Sequence, residues 1–205
     1  MTIQVGDRLP DATFKQMTKD GPANVSVSEL TAGKSVVIFS VPGAFTPTCH
    51  AKHLPGFVTH ADALKGKGVD AIACTAVNDV FVMKAWGNAV KAAGKVSMIA
   101  DGNGAFIDAL GLAWDASVAQ LGKRGRRFAM LVKDGKVSRG WLGVITGDIP
   151  AISEGALRLA TTLAGLLWAE DIDHHFARMQ DFAEPEVFGD EWVVTPLSDF
   201  QAPNQ

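Results

Sequence analysis

Cysteine is scarce in this chain: two in 205 residues, Cys49 and Cys74. Two thiols cannot make a disulfide scaffold, and without a Cys-x-x-Cys pair a dithiol oxidoreductase is disfavoured. Such cysteines are buried, catalytic or redox-active rather than bridging. Long apolar runs are missing as well. No stretch approaches the roughly 18 residues that a membrane helix needs. The start, Met1-Thr-Ile-Gln-Val-Gly-Asp7, has neither the basic beginning nor the apolar core of a secretory signal. A cytoplasmic protein without membrane contact is expected. Gly102-Asn-Gly104 lacks a nucleotide fingerprint. The basic run Lys123-Arg-Gly-Arg-Arg127 is too isolated, in a chain of net charge −3, to indicate nucleic acid.

Basic residues are scarce in one region only. Residues 165–205 hold one, Arg178, against nine acidic residues, whereas residues 1–164 hold 18 against 13. A body of net charge +5 therefore carries a tail of −8, an asymmetry that favours attraction between them. Aromatic residues are not scarce in that tail: Trp168, Phe176, Phe182, Phe188, Trp192 and Phe200 lie in it. An acidic disordered segment would be depleted in them. The division is thus a domain over 1–164 and an extension over 165–205 that packs on the body or on a partner subunit.

What is present reads as α/β. Residues up to about 30 are short extended pieces around the turn Lys19-Asp-Gly-Pro22. Val36 to Val41 is a continuous apolar run rich in β-branched residues, as a buried central strand would be. A helical pattern runs from Pro47 to about Lys65, stopped by Gly66-Lys-Gly68, with Pro55 expected to kink it. Val69 to Ala76 is a second buried strand. Asn78 or Asp79 can cap a helix reaching about Ala93. Val96 to Ala100 is a third strand, Lys133-Asp-Gly135 marks a hairpin, and a last helix spans about 152–168. Strands alternating with helices, then a hairpin, predict a central mixed sheet flanked by helices.

One segment carries chemistry. In Pro42-Gly-Ala-Phe-Thr46-Pro-Thr-Cys49 a cysteine stands where a helix begins after a buried strand. The positive end of the helix dipole there favours thiolate over thiol. Thr46, three residues earlier, brings its hydroxyl within reach of the sulfur, and Pro42 shapes the turn. This Pro-x-x-x-Thr-x-x-Cys string, with His53-Leu-Pro-Gly-Phe57, resembles the active-site signature of type II (Prx5-like) peroxiredoxins. Val77-Asn-Asp, Phe81-Val-Met-Lys-Ala-Trp86, Ala100-Asp-Gly-Asn-Gly104 and Arg126-Arg-Phe-Ala-Met130 continue the resemblance over roughly residues 3–163. The tail departs from it.

The resemblance implies a thioredoxin-like fold and a thiol-dependent peroxidase for hydrogen peroxide and alkyl hydroperoxides, without metal or organic cofactor. Cys49 would attack an O–O bond and become a sulfenic acid. Thr46 would donate or relay a hydrogen bond near it, and Pro42 would shield the sulfur from water. The family arginine matches Arg127; Arg126 would exchange roles with it if the strand register moved by one. Cys74 is a candidate resolving cysteine or an inert buried strand residue. In the second case glutathione with glutaredoxin, or thioredoxin, would reduce the sulfenic acid.

The resemblance also implies a homodimer, and Phe45 and Trp86 match positions in the family's dimer-forming motifs. Cys49 and His53 share a helix face, yet two ligands with His50 alongside make a poor zinc site. His53 reads as structural or as a contributor of local charge. A peroxide-responsive redox sensor acting through a partner contact shares the same first step.

Overall fold

The computed structural model describes residues 2–145 and 192–196. At its centre lies β3 (Ser35–Ser40), whose Val36, Val37, Ile38 and Phe39 are all fully buried. A strand apolar on both faces must be covered on both faces. It runs parallel to β4 (Ala71–Ala76) on one side and antiparallel to β8 (Arg127–Lys133) on the other. The remaining strands are β1 (Thr13–Thr18), β2 (Gly21–Ser26), β5 (Ser97–Ala100), β9 (Lys136–Ile145) and β10 (Trp192–Pro196). They form one mixed sheet in the order β10-β9-β8-β3-β4-β5-β1-β2. The short strands β6 (Ala113–Asp115) and β7 (Lys123–Gly125) pair separately.

Alternation along the strands divides the core in two. Val37, Phe39, Val41, Ile72, Cys74 and Leu131 face α2 (Leu54–Gly66) and α3 (Val80–Ala89). Val36, Ile38, Ala73, Phe128 and Met130 face α1 (Val27–Thr31) and α4 (Ala105–Leu110). Helices therefore cover both faces of a mixed sheet, the architecture that the sequence pattern predicts.

Several elements differ from expectation. The segment up to about residue 30 contains α1, opened by a capping box in which Ser26 and Glu29 satisfy each other's backbone N–H groups. Helix α3 ends at Ala89 rather than near Ala93, because Lys91 takes a left-handed conformation (φ 56°). Its cap is Asp79, which accepts from the N–H groups of Phe81 and Val82 at 2.8 and 2.9 Å; Asn78 has another partner. The Lys133-Asp-Gly135 turn forms as expected, with Asp134 and Gly135 both at positive φ (48° and 73°). The helix expected over 152–168 lies outside the described residues.

Pro55 acts differently from a simple kink. It has no N–H, and its ring crowds the carbonyl of Ala51. The chain answers with a π-helical turn over Cys49–His53 immediately before it, in which the Leu54 N–H reaches back to the Cys49 carbonyl. The helix then resumes as α2. The wider turn so forms at the cysteine itself, a placement common at functional sites.

Candidate active site

Cys49 sits where the chain leaves β3 and enters this π turn, with 1% of its surface exposed. The first helical rung above it is the His50 N–H to Thr46 carbonyl bond, 2.9 Å. The amides of Thr48 and Cys49 precede that rung, the helix-start position whose N–H groups have no intrahelical acceptor.

Arg127 opens β8 and shares the face of Ala129 and Leu131, toward the cysteine. Its Nη2 donates to Cys49 Sγ at 3.3 Å, and its Nη1 donates to His53 Nδ1. One guanidinium thus spans the two side chains that the π turn presents. Arg127 is 6% exposed and His53 fully buried. Among the described residues these are the partners given to the Arg127 side chain, and neither is a carboxylate. Burial, and then the adjacent guanidinium, push the His53 imidazole well below its ordinary pKa. The ring is therefore neutral and able to accept.

Thr46 is placed otherwise than expected. Its hydroxyl donates to the Gly43 carbonyl at 2.8 Å, not to the sulfur. The bond closes the loop on itself and leaves the oxygen's lone pairs to accept from a bound molecule. Pro42, half-buried, stands at the start of that loop.

The comparisons with known proteins agree on what this arrangement belongs to. The family model described as Redoxin matches residues 4–153. Peroxiredoxin-2B of Arabidopsis thaliana is 50% identical over 137 residues, spanning 66% of this chain and 85% of that protein. The chain belongs to the peroxiredoxins. Reduced Prx3 from Vibrio vulnificus, solved in complex with hydrogen peroxide, is 45% identical with a TM-score of 0.70, over 78% of this chain and 99% of its own. Peroxiredoxin 5 from Alvinella pompejana is 35% identical with a TM-score of 0.63, over 77% and 97%. The fold is thioredoxin-like, and the activity is that of a thiol-dependent, antioxidant peroxidase of the type II branch.

In this peroxiredoxin Cys74 lies mid-strand in β4, paired in register with Phe39 and fully buried in the same core cluster as Cys49. Both cysteines are free thiols. Burial foremost, and then the neighbouring Cys49, raise the Cys74 thiol well above its usual pKa. It is thus a protonated, inaccessible sulfur in this state.

Trp86, which matches a family dimer motif, is no surface residue here. It is fully buried and donates from Nε1 to His50 Nδ1 at 3.1 Å. Phe45, by contrast, is 49% exposed, has φ 60°, and stacks over His50 with ring centres 5.6 Å apart.

The peroxiredoxin also uses two residues whose roles sequence reading missed. Asn78 accepts from the Ala44 N–H at 2.9 Å, tying the Pro42–Thr46 loop to the end of β4. Arg124 donates to the carbonyls of Leu121 and Val77 at 2.9 and 2.7 Å. A side-chain carbon on Gly43 would come within 3.5 Å of its guanidinium. The Val77-Asn-Asp and Arg-Gly-Arg-Arg strings were the only signals of either. Among the described residues no three His, Cys, Asp or Glu side chains gather into a metal-binding group.

Proposed function

We propose that Cys49 is the nucleophile, Arg127 its electrostatic partner, Thr46 an acceptor for the bound peroxide, and Pro42 the wall that keeps water from the sulfur. In the step they would perform, the deprotonated sulfur attacks one oxygen of R–O–O–H. The S–O bond forms as the O–O bond breaks. The electron pair of that bond leaves on the other oxygen, which takes up a proton as water or an alcohol, and Cys49 remains as sulfenic acid. Charge thus moves from sulfur toward the leaving oxygen, along the line where Arg127 Nη2 and the helix-start amides supply fixed donors. The observation that carries the reading is the Arg127 guanidinium 3.3 Å from a buried cysteine sulfur, with no carboxylate of the described residues bonded to it.

Cys74 is proposed not to resolve the sulfenic acid. Its complete burial in β4 supports an outside thiol reaching Cys49 instead: glutathione with glutaredoxin, or thioredoxin. Two free cysteines support a reducing, cytoplasmic setting. Exposed Phe45 beside the loop supports a homodimer formed there. The 165–205 extension is proposed to pack against the body or a partner subunit.

Intact mass after one equivalent of peroxide tests the chemistry, with Cys49→Ser and Cys74→Ser alongside. One added oxygen is expected in wild type and Cys74→Ser and none in Cys49→Ser. Loss of two hydrogens that needs both cysteines would make Cys74 resolving. An unmodified wild type would remove the nucleophile assignment.

A further inference from the structure

We propose that His53 is a positioning residue of the peroxidase reaction, holding the Arg127 fork by its Nη1 so that Nη2 faces the Cys49 sulfur and the oxygen leaving it. This rests on the roles proposed for Cys49 and Arg127.

Arginine is long, and its planar fork is useful only when its orientation is fixed. A carboxylate commonly fixes it, and here none is bonded to Arg127 among the described residues. The sulfur cannot serve that purpose alone, because it changes during the reaction from an anion to a sulfenic acid. His53 Nδ1 is the acceptor that does not change. Arginine has donors only, so Nδ1 must accept and the proton of the neutral ring must lie on Nε2.

His53 is itself held. It is fully buried, with its ring centre 5.4 Å from that of Phe39 and 5.6 Å from that of Phe57. Phe39 and Phe57 are in turn stacked at 3.9 Å. Nε2 has no hydrogen-bond partner among the described residues, a cost that a purely structural residue has no reason to incur. An apolar side chain would fill the same space without it. The orphaned nitrogen is explained if the site needs the other one.

The test measures the rate constant for peroxide oxidation of Cys49 in five proteins: wild type, His53→Phe, His53→Gln, Arg127→Met, and the double variant Arg127→Met/His53→Phe. His53→Phe keeps the bulk and removes the acceptor; His53→Gln restores an acceptor oxygen. His53→Phe is expected to slow oxidation at least tenfold, and His53→Gln to recover most of that loss. In the Arg127→Met background, adding His53→Phe should change the rate less than twofold, because the effect runs through the guanidinium.

A His53→Phe rate within twofold of wild type, or losses that multiply in the double variant, would overturn the proposal. The nitrogen signals of the His53 ring in the reduced protein decide it independently of peroxide. A proton on Nε2 alone is expected, and a proton on Nδ1 would overturn it. If wild-type Cys49 fails to oxidise, the nucleophile assignment is lost, while those ring signals still decide whether His53 holds Arg127.

Discussion

Arg127 and His53 confront each other as a cation and a base in a dry interior, and the base yields. Folding holds the imidazole well below its ordinary pKa, first by burial and then by the guanidinium. Among the described residues the titratable groups near this pair are Cys49, bonded to Arg127, and Cys74, whose thiol feels Cys49 and Arg127. Below the ordinary imidazole value the unfolded chain takes up a proton that the folded chain refuses. Stability therefore falls as pH drops. From pH 7.5 to 5.5 the loss due to this group is expected to be on the order of 1 kcal/mol, given an unfolded value near 6.5. Urea melts of wild type and His53→Gln at the two pH values check it, since the variant should lack that increment.

Two further outcomes belong to single residues. Arg127→Lys keeps the charge but loses the planar fork, so it cannot bond sulfur and imidazole together; peroxide oxidation should slow roughly 10²-fold, read by stopped-flow. Cys74 should resist iodoacetamide in the native protein and react only after unfolding, read by peptide mass. At this scale the sequence was informative where the pattern is local. Pro42, Thr46 and Cys49 stand within eight residues, and the family resemblance matched Arg127, with strand alternation turning Arg126 to the opposite side. The Arg127–His53 bond joins residues 74 apart, and Asn78 reaches Ala44 across 34. Periodicity tells which face a side chain takes; it does not say what the fold brings to that face.

Among the elements, strong local signals were reliable. The apolar run of β3, the Asp-Gly turn after β8 and the helix start at Pro47 all form as read. Asp79 capping α3 is of the same kind. Asp79→Ala should cost about 1 kcal/mol, measured by thermal melts, with peroxide oxidation little changed because Asn78 keeps its own bond to Ala44. The misreadings have physical causes. Helix α1 is only five residues long, so its Ser26–Glu29 box was overshadowed by the extended residues before it. Pro55 was read as a kink because a missing N–H says only that a rung is lost. Whether the helix bends or widens depends on what packs outside it, and here the widened turn is the one that bears the cysteine.

For the molecule as a whole, the sheet has an unusual outer edge. Strand β10 pairs antiparallel with β9 from Trp192↔Ile145 to Pro196↔Trp141, so a segment of the acidic extension occupies what would otherwise be an open edge. Val194→Pro in the full chain removes one backbone donor from that strand. Amides of residues 141–145 should then exchange hydrogen faster, while the rate of Cys49 oxidation is unchanged. Equal exchange in both proteins would place the pairing in doubt.

The position of β10 in the chain has a consequence for biosynthesis. The strand it covers is complete at residue 145, but the covering strand is not translated until residue 196. At about 5–20 residues per second the ribosome spends roughly 3–10 s on the interval. During that time the nascent sheet presents the bare backbone of β9 to its surroundings and to neighbouring chains on the same message. Unpaired edges of this kind invite strand addition by the wrong partner. The protein is therefore most exposed to misassembly before its own C-terminal region has emerged, a hazard that faster elongation over codons 146–196 would shorten.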